Sequence, residues 1–333
     1  MTDLAIIWAV ILAFAIYAYV VLDGFDLGIG IIAPFVRSER DKDTMIAAVA
    51  PVWDGNETWL VLGGGGLLAA FPLAYSILLP ALYAPLIAML LALIFRGVAF
   101  EFRHRHEAHR SVWTWAFSLG SYVATFSQGV AVGAFVQGIE VSDRAYAGGW
   151  FDWLTPFTVF TGLALLAGYA LLGASFLIMK TEGTLQEHMS RLALPLGIAA
   201  LASIVVVSAW TPFLDPALWT RWLSWPNVAF FSPVPILLIL VALGFFRSLA
   251  AGREAMPFLM ASLIFLVAYC GVAISVYPFV VPRAVTVWQA AAPDASLGFL
   301  LVGTAILLPM ILAYTGYSYW VFRGKADSGA SYH

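Results

Sequence analysis

The chain has 333 residues, of which 62% are hydrophobic and 11% charged, with 16 Lys and Arg set against 19 Asp and Glu. A soluble domain carries about 25% charged residues, so this composition excludes a soluble fold, and a net charge of -3 leaves no basic excess for nucleic acid. A single cysteine, Cys270, excludes an internal disulfide and falls short of the thiolate set that an iron–sulfur cluster requires.

A hydrocarbon core about 30 Å thick needs roughly 20 apolar residues per spanning helix. In chain order, residues 4–33, 46–70, 76–95, 112–136, 156–179, 192–210, 228–246, 256–277 and 297–322 meet that requirement, predicting nine transmembrane helices in a single membrane domain. The first ends at Pro34 and a charged loop, the third runs into the polar cluster 101–110, and the seventh begins at Pro233 and Pro235. Residues 1–8 carry no basic region and no small-residue cleavage site, so the first helix is expected to be retained rather than removed as a signal peptide.

Lys and Arg stay on the cytoplasmic side. Loops after the odd-numbered helices, with the carboxyl tail, hold Arg37, Arg40, Lys42, Arg96, Arg103, Arg105, Arg110, Lys180, Arg191, Arg247, Arg253, Arg323 and Lys325. The opposite loops hold Arg144, Arg221 and Arg283. The amino terminus is therefore expected outside and the carboxyl terminus in the cytoplasm. The outer connections are rich in tryptophan instead, at Trp150, Trp153, Trp210, Trp219, Trp222 and Trp225, which reads as an interfacial aromatic belt or as a surface for quinone or a partner.

Four acids fall inside predicted helices: Asp23 and Asp26 in the first, Asp54 and Glu57 in the second. A charged, unpaired acid at a helix centre costs about 2.5–3.5 kcal/mol on insertion scales. Helical rise puts Asp26 about 16 Å from Arg37 and Asp54 about 13 Å from Met45, so the two pairs are expected at similar depth near mid-membrane. Each pair is spaced i,i+3 and shares one helix face. Gly24 and Gly28, and the run of glycines 63–66, are expected to let helices approach closely. The acids read either as hydrogen-bonded glue between two helices or as a proton relay, since a desolvated carboxyl can load and release protons.

The histidines are His104, His106, His109, His188 and His333, all in inner loops or the tail. A membrane haem is usually held by histidine in or at the rim of a helix, so no haem ligand is expected in this chain alone. The cluster 103–110 fits a basic inner loop better than a metal site, and no metal ligand set is assigned. No phosphate loop, nucleophile elbow or His-Glu-x-x-His motif is present. The residues alone describe an all-α integral membrane protein with a buried acid cluster, either a stand-alone proton-coupled secondary transporter or a subunit of a proton-consuming complex.

Over essentially its whole length the chain resembles subunit II of the cytochrome bd quinol oxidases. The resemblance rests on Asp23-Gly-Phe-Asp-Leu-Gly-Ile-Gly30, Pro51-Val-Trp-Asp-Gly-Asn-Glu-Thr-Trp59 and Phe95-Arg-Gly-Val-Ala-Phe-Glu-Phe-Arg103. Tyr277-Pro-Phe-Val-Val-Pro282 and Tyr314-Thr-Gly-Tyr-Ser-Tyr-Trp320 support it. Its length is similar to that of the cyanide-insensitive branch. The resemblance implies two four-helix bundles plus one peripheral helix, and a partner, subunit I, that carries haem b, haem d and the quinol site. The pair oxidises quinol and reduces oxygen to water with protons drawn from the cytoplasm, in the bacterial cytoplasmic (inner) membrane. It also allows a small accessory membrane subunit and a structural quinone or lipid.

By motif, Asp54 matches the acid on the proton path, and Asp26 a second acid needed for haem assembly or proton delivery. Glu101 and Arg105 match the inlet region, where family members can have Asp and Lys, and Trp59 matches a residue lining the oxygen passage. Glu57 departs from members that carry glutamine there, adding a stop to the relay. The expected path is Glu101 and Arg105 gathering protons, Asp54 relaying them with Glu57, and Asp26, beside Asp23, orienting the pair. A protease site introduced at Ser331 is expected to be cut only from the cytoplasmic side; cleavage from outside would invert the orientation.

Overall fold

The computed structural model describes residues 2–105 and 110–326. The chain is almost wholly helical: α1 (Thr2–Ile32), α2 (Glu39–Val49), α3 (Trp53–Ala70), α4 (Pro72–Ala81), α5 (Tyr83–Arg105) and α6 (Arg110–Gln137) come first. A small hairpin of β1 (Val141–Ser142) and β2 (Ala145–Tyr146) leads to α7 (Pro156–Lys180) and α8 (Gly183–Trp210). Then follow α9 (Pro216–Leu223), α10 (Asn227–Phe231), α11 (Pro233–Ala250) and α12 (Met256–Val276). A second hairpin, β3 (Phe279–Val281) and β4 (Val285–Thr286), precedes α13 (Val287–Ala290) and α14 (Asp294–Val321).

Eight helical stretches among the described residues are long and apolar enough to cross a membrane: Leu4–Phe35, Tyr83–Arg103, Arg110–Gln137, Pro156–Lys180, Gly183–Phe213, Asn227–Ala250, Met256–Val276 and Asp294–Val321. They match eight of the nine sequence expectations, with Pro233 and Pro235 starting α11 rather than breaking the seventh. The expected helix 46–70 is instead two pieces. Pro51 lacks an N–H and disfavours helix in the residue before it, so the chain turns between α2 and α3. At 18 residues α3 is about 27 Å long, and Asp54, Asn56 and Glu57 make it less apolar than the other eight. The expected third helix, 76–95, also changes: a bend at Leu82 separates α4, and α5 runs on to Arg105. Arg96, expected in the inner loop, therefore lies inside a helix.

The helices pack as α5 on α6, α6 on α7, α7 on α8, α1 on α3, α6 and α7, and α11 on α12. The main core is drawn from α1, α2, α5, α6, α7, α8, α11 and α12. α14 stands at the edge, touching α1 and α3. Loop contacts sort the helix ends into two sets. At one end Arg103 pairs with Asp43, buried Lys180 donates to the carbonyls of Phe322 and Gly324, and Lys325 donates to Glu254. At the other, Ala292 N–H donates to Ala70 O, Trp8 Nε1 to Leu297 O, and Arg283 to Gln137 O. Arg221 likewise donates to Ile274 O and Tyr277 O. Arg221 and Arg283 thus satisfy carbonyls that α12 and α6 leave unpaired, where helix dipoles favour a cation.

Gly28 and Gly173 bring α1 and α7 into backbone contact: a Cβ on Gly28 would lie 1.8 Å from Tyr169 O, and one on Gly173 2.5 Å from the Gly28 carbonyl carbon. The glycines 63–66 behave differently from expectation. Gly66 packs on Leu12, whereas a Cβ on Gly64 or Gly65 would meet nothing within 4 Å. Gly28→Ala is therefore expected to cost about 1–3 kcal/mol through forced separation of the helices, and Gly65→Ala to be neutral; thermal unfolding in detergent measures both.

Candidate functional site

The site forms where α1, α3 and α5 converge. Asp23 and Asp26 lie one turn apart on α1, the turn at Pro51 sets Asn56 and Glu57 in the first turns of α3, and α5 contributes Arg96. Arg96 Nη1 donates to Asp23 Oδ1 at 2.8 Å and to Glu57 Oε1 at 3.0 Å, and Nη2 lies 3.6 Å from Asp26 Oδ2. Asn56 Nδ2 donates to Asp26 Oδ2 at 2.8 Å and to Leu22 O at 3.1 Å, while Tyr319 of α14 donates to Asn56 Oδ1 at 2.9 Å. Arg96, Asp23 and Asp26 are 0% exposed, whereas the Glu57 side chain is 26% exposed and opens the cluster at one edge.

Packing holds the guanidinium in place. Gly120 of α6 lies against Arg96, where a Cβ would come within 2.7 Å of Ala92 O, so α5 and α6 touch at the level of the charge. The Phe100 ring centroid lies 5.7 Å from Arg96 Cζ, and Trp53 stacks on Phe100 at 4.9 Å. A second set of bonds extends the cluster towards α6 and α7. Tyr19, one turn before Asp23, accepts from Gln128 Nε2 at 2.7 Å, and Tyr169 donates to Gln128 Oε1 at 2.9 Å.

Three carboxylates face one guanidinium, so the cluster has more capacity for positive charge than Arg96 supplies. Isolated charges cannot be left unpaired in a low-dielectric interior without a cost of several kcal/mol. Asp23 Oδ2, Asp26 Oδ1 and Arg96 Nε and Nη2 are buried without a hydrogen-bond partner. Such an arrangement can take up a proton, hold it and hand it on.

Of the residues expected from sequence, the structure unites Asp23, Asp26 and Glu57. It leaves Asp54 outside the cluster: Asp54 falls in the first turn of α3 and is exposed. Glu101 is exposed on α5, five residues beyond Arg96. The Arg105 side chain, and those of His104, His106 and His109, lie outside the described residues, as does His333. Trp59 is buried, with its ring edge-on to Phe14 at 5.6 Å and Nε1 without a partner. Among the described residues no group of three or more His, Cys, Asp and Glu is arranged to hold a metal ion.

Arg96 was expected in a loop, and Asn56, Gln128 and Tyr319 are functional-site residues that apolar length and charge do not mark. A signal for Arg96 was there: it stands in an apolar run, five residues before the next charge, Glu101. Gln128 sits likewise inside an apolar helix, where an amide without partners is costly.

The profile of the family "Cytochrome bd terminal oxidase subunit II" matches residues 4–322. The chain is 28% identical to cytochrome bd-I ubiquinol oxidase subunit 2 of Escherichia coli K12 over 361 aligned residues, covering 97% of this chain and 95% of that protein. It is 26% identical to cytochrome bd ubiquinol oxidase subunit 2 of Bacillus subtilis 168, with 98% of each chain covered. The structure of bd oxidase from Geobacillus thermodenitrificans shares the fold, with a TM-score of 0.77 at 18% identity over 96% of this chain and 99% of that one. The chain belongs to the cytochrome bd terminal oxidase subunit II family.

Proposed function

We propose that the chain is the haem-free subunit II of a quinol-oxidising terminal oxidase: it supports assembly of the haem-carrying subunit I and conducts cytoplasmic protons toward the site of oxygen reduction. The observation that carries this reading is the buried cluster of Asp23, Asp26, Glu57 and Arg96 beside the exposed Asp54. A carboxylate on the outward face of a membrane helix is costly against lipid, so the Asp54 side of α3 is read as the side that meets subunit I. Glu57, at the open edge of the cluster, passes protons between Asp54 and the Asp23–Arg96 pair; Glu101 and Arg105 gather them at the inner end. Asp26, held by Asn56, fixes the height of α1 against α3. Trp59, with an unpaired Nε1 in an apolar setting, lines the oxygen passage.

The described residues of this chain do not fit a haem. Among the described side chains His188, exposed near the start of α8, is the one histidine, and in this reading haem b and haem d belong to subunit I. The reading includes nine crossings, with α3 as the ninth. Its support is that Asp43, in α2, bonds to one end of the molecule and Ala70, at the close of α3, to the other. With the basic loops at the Asp43 end, the amino terminus lies outside and the carboxyl terminus in the cytoplasm. α14 is the peripheral helix, and the remaining eight crossings form two four-helix groups. A structural quinone or lipid and a small accessory subunit belong to the same reading.

Purified in mild detergent, the chain is expected to elute with a red, haem-bearing partner; a colourless chain that binds a solute alone would instead favour a stand-alone proton-coupled transporter. Asp54→Asn is expected to leave haem content intact while lowering quinol-dependent oxygen consumption by about tenfold or more, and unchanged turnover removes Asp54 from the path. Arg96→Met leaves buried carboxylates without their cation, a loss of about 3–5 kcal/mol, so haem-bearing complex is expected to disappear from the membrane; retention at the wild-type level would mean that Arg96 is not the anchor.

A further inference from the structure

The face of α6 that turns inward carries Thr114, Ser118, Ser121, Thr125 and Gln128, all buried. Their spacing of four, three, four and three residues keeps them on one side of a helix over about 21 Å of rise. Thr114 stands at the inner end, where its hydroxyl accepts from Arg103 Nε at 2.9 Å; Arg103 in turn pairs with Asp43 at 2.5 Å and with Glu39 at 3.4 Å. Gln128 stands at the other end, bonded to Tyr19 at 2.7 Å, and Tyr19 lies one turn from Asp23 on α1. Ser121 lies against α1, where a Cβ on Gly30 would come within 2.0 Å of its Oγ.

Two of these hydroxyls are satisfied within the helix, Thr114 donating to Arg110 O at 3.0 Å and Ser121 to Phe117 O at 2.8 Å, but the other two are not. Ser118 Oγ and Thr125 Oγ1 are 0% exposed and have no hydrogen-bond partner, and Asp23 Oδ2 is likewise unpaired. Side chains three or four apart on a helix are about 5–6 Å from one another, close to the span of two hydrogen bonds through one water molecule. A hydroxyl both donates and accepts, which is what a group must do to receive a proton from one water and release another to the next.

We propose that this face of α6 holds a file of water molecules that gives the Asp23–Arg96–Glu57 cluster its own proton route to the inner surface, from Asp43 and Thr114 past Ser118, Ser121 and Thr125 to Tyr19, whose hydroxyl Gln128 holds in position. This route rests on the proton-delivery reading above and is separate from the one through Asp54. Each hydroxyl breaks its O–H bond towards the next acceptor as it receives a proton from the preceding donor, so no charge is left on the ladder and no oxidant or reductant is involved.

The test uses the intact oxidase with Ser118→Ala, Thr125→Val, Thr125→Ser and Asp54→Asn, each checked for full haem content. Ser118→Ala and Thr125→Val are expected to slow oxygen consumption by about 3-fold or more and to enlarge its dependence on D2O, while Thr125→Ser, which keeps the hydroxyl, runs at the wild-type rate. Wild-type turnover in Ser118→Ala and Thr125→Val with a slow Asp54→Asn oxidase overturns the α6 route alone; wild-type turnover in all three removes the proton-delivery reading itself. Equal slowing in Thr125→Ser and Thr125→Val assigns the effect to packing and also overturns the route. If Thr125→Val fails to assemble, Ser118→Ala decides by itself. Independently, a structure of the oxidase at a resolution that shows ordered water is expected to place water between Ser118 and Thr125, and a dry contact there refutes the proposal.

Discussion

Placing acids inside a membrane is possible only where a cation and hydrogen-bond donors meet them, and in this chain Arg96 is the group on which that condition turns. Its guanidinium reaches acids on two different helices, Asp23 on α1 and Glu57 on α3, and lies close to a third acid, Asp26. A planar fork of donors suits such multiple contacts better than an ammonium would. The contact between α5 and α6 at Gly120, the stack of Trp53 on Phe100, and the link from Asp26 through Asn56 to Tyr319 follow as the packing that keeps this group in one position. Through Tyr319 the cluster also reaches α14, a helix that otherwise packs little against the rest of the chain.

A second constraint acts at the helix ends. Four C-terminal carbonyls of each helix lack an intrahelical partner, and in a short-looped membrane protein few polar side chains are available to meet them. Arg221, Arg283 and Lys180 each donate to carbonyls at the close of a helix distant in sequence. Two of these cations are the exceptions to the concentration of positive charge at the opposite end. Their side of the molecule follows from capping, a local requirement stronger than the general bias of loops. Lys180, together with Lys325 on Thr181 and Glu254, straps the segment after α14 to the turns beside α7 and α12.

The chain is a subunit of a bd-type oxidoreductase complex and a multi-pass protein of the bacterial inner membrane, and its division of labour is visible in where polarity is placed. Inside the helices, buried polar side chains lie around Arg96 and along one face of α6, and a further set on α7 includes Thr158, Thr161 and Ser175. Asp54 on α3 and Glu101 on α5 are carboxylates exposed at the surface of their helices.

Eight of the helices, their order and the three acids of the cluster, among four expected, could be read from the sequence, because apolar length and the cost of buried charge are properties of short segments. The family was legible too, since Trp53-Asp-Gly-Asn-Glu-Thr-Trp59 is a local motif. The break at Pro51 is local chemistry that the apolar run 46–70 masked, whereas the extension of α5 beyond Phe95 and the exposure of Asp54 were decided by tertiary structure. Each depends on where a helix starts or stops by a few residues, and a shift of that size rotates a side chain by a large part of a turn. Arg96 shows the same limit most plainly: sequence can count a basic residue near a helix end, but only the approach of α1 and α3 to α5 decides that it lies inside, among the acids it neutralises.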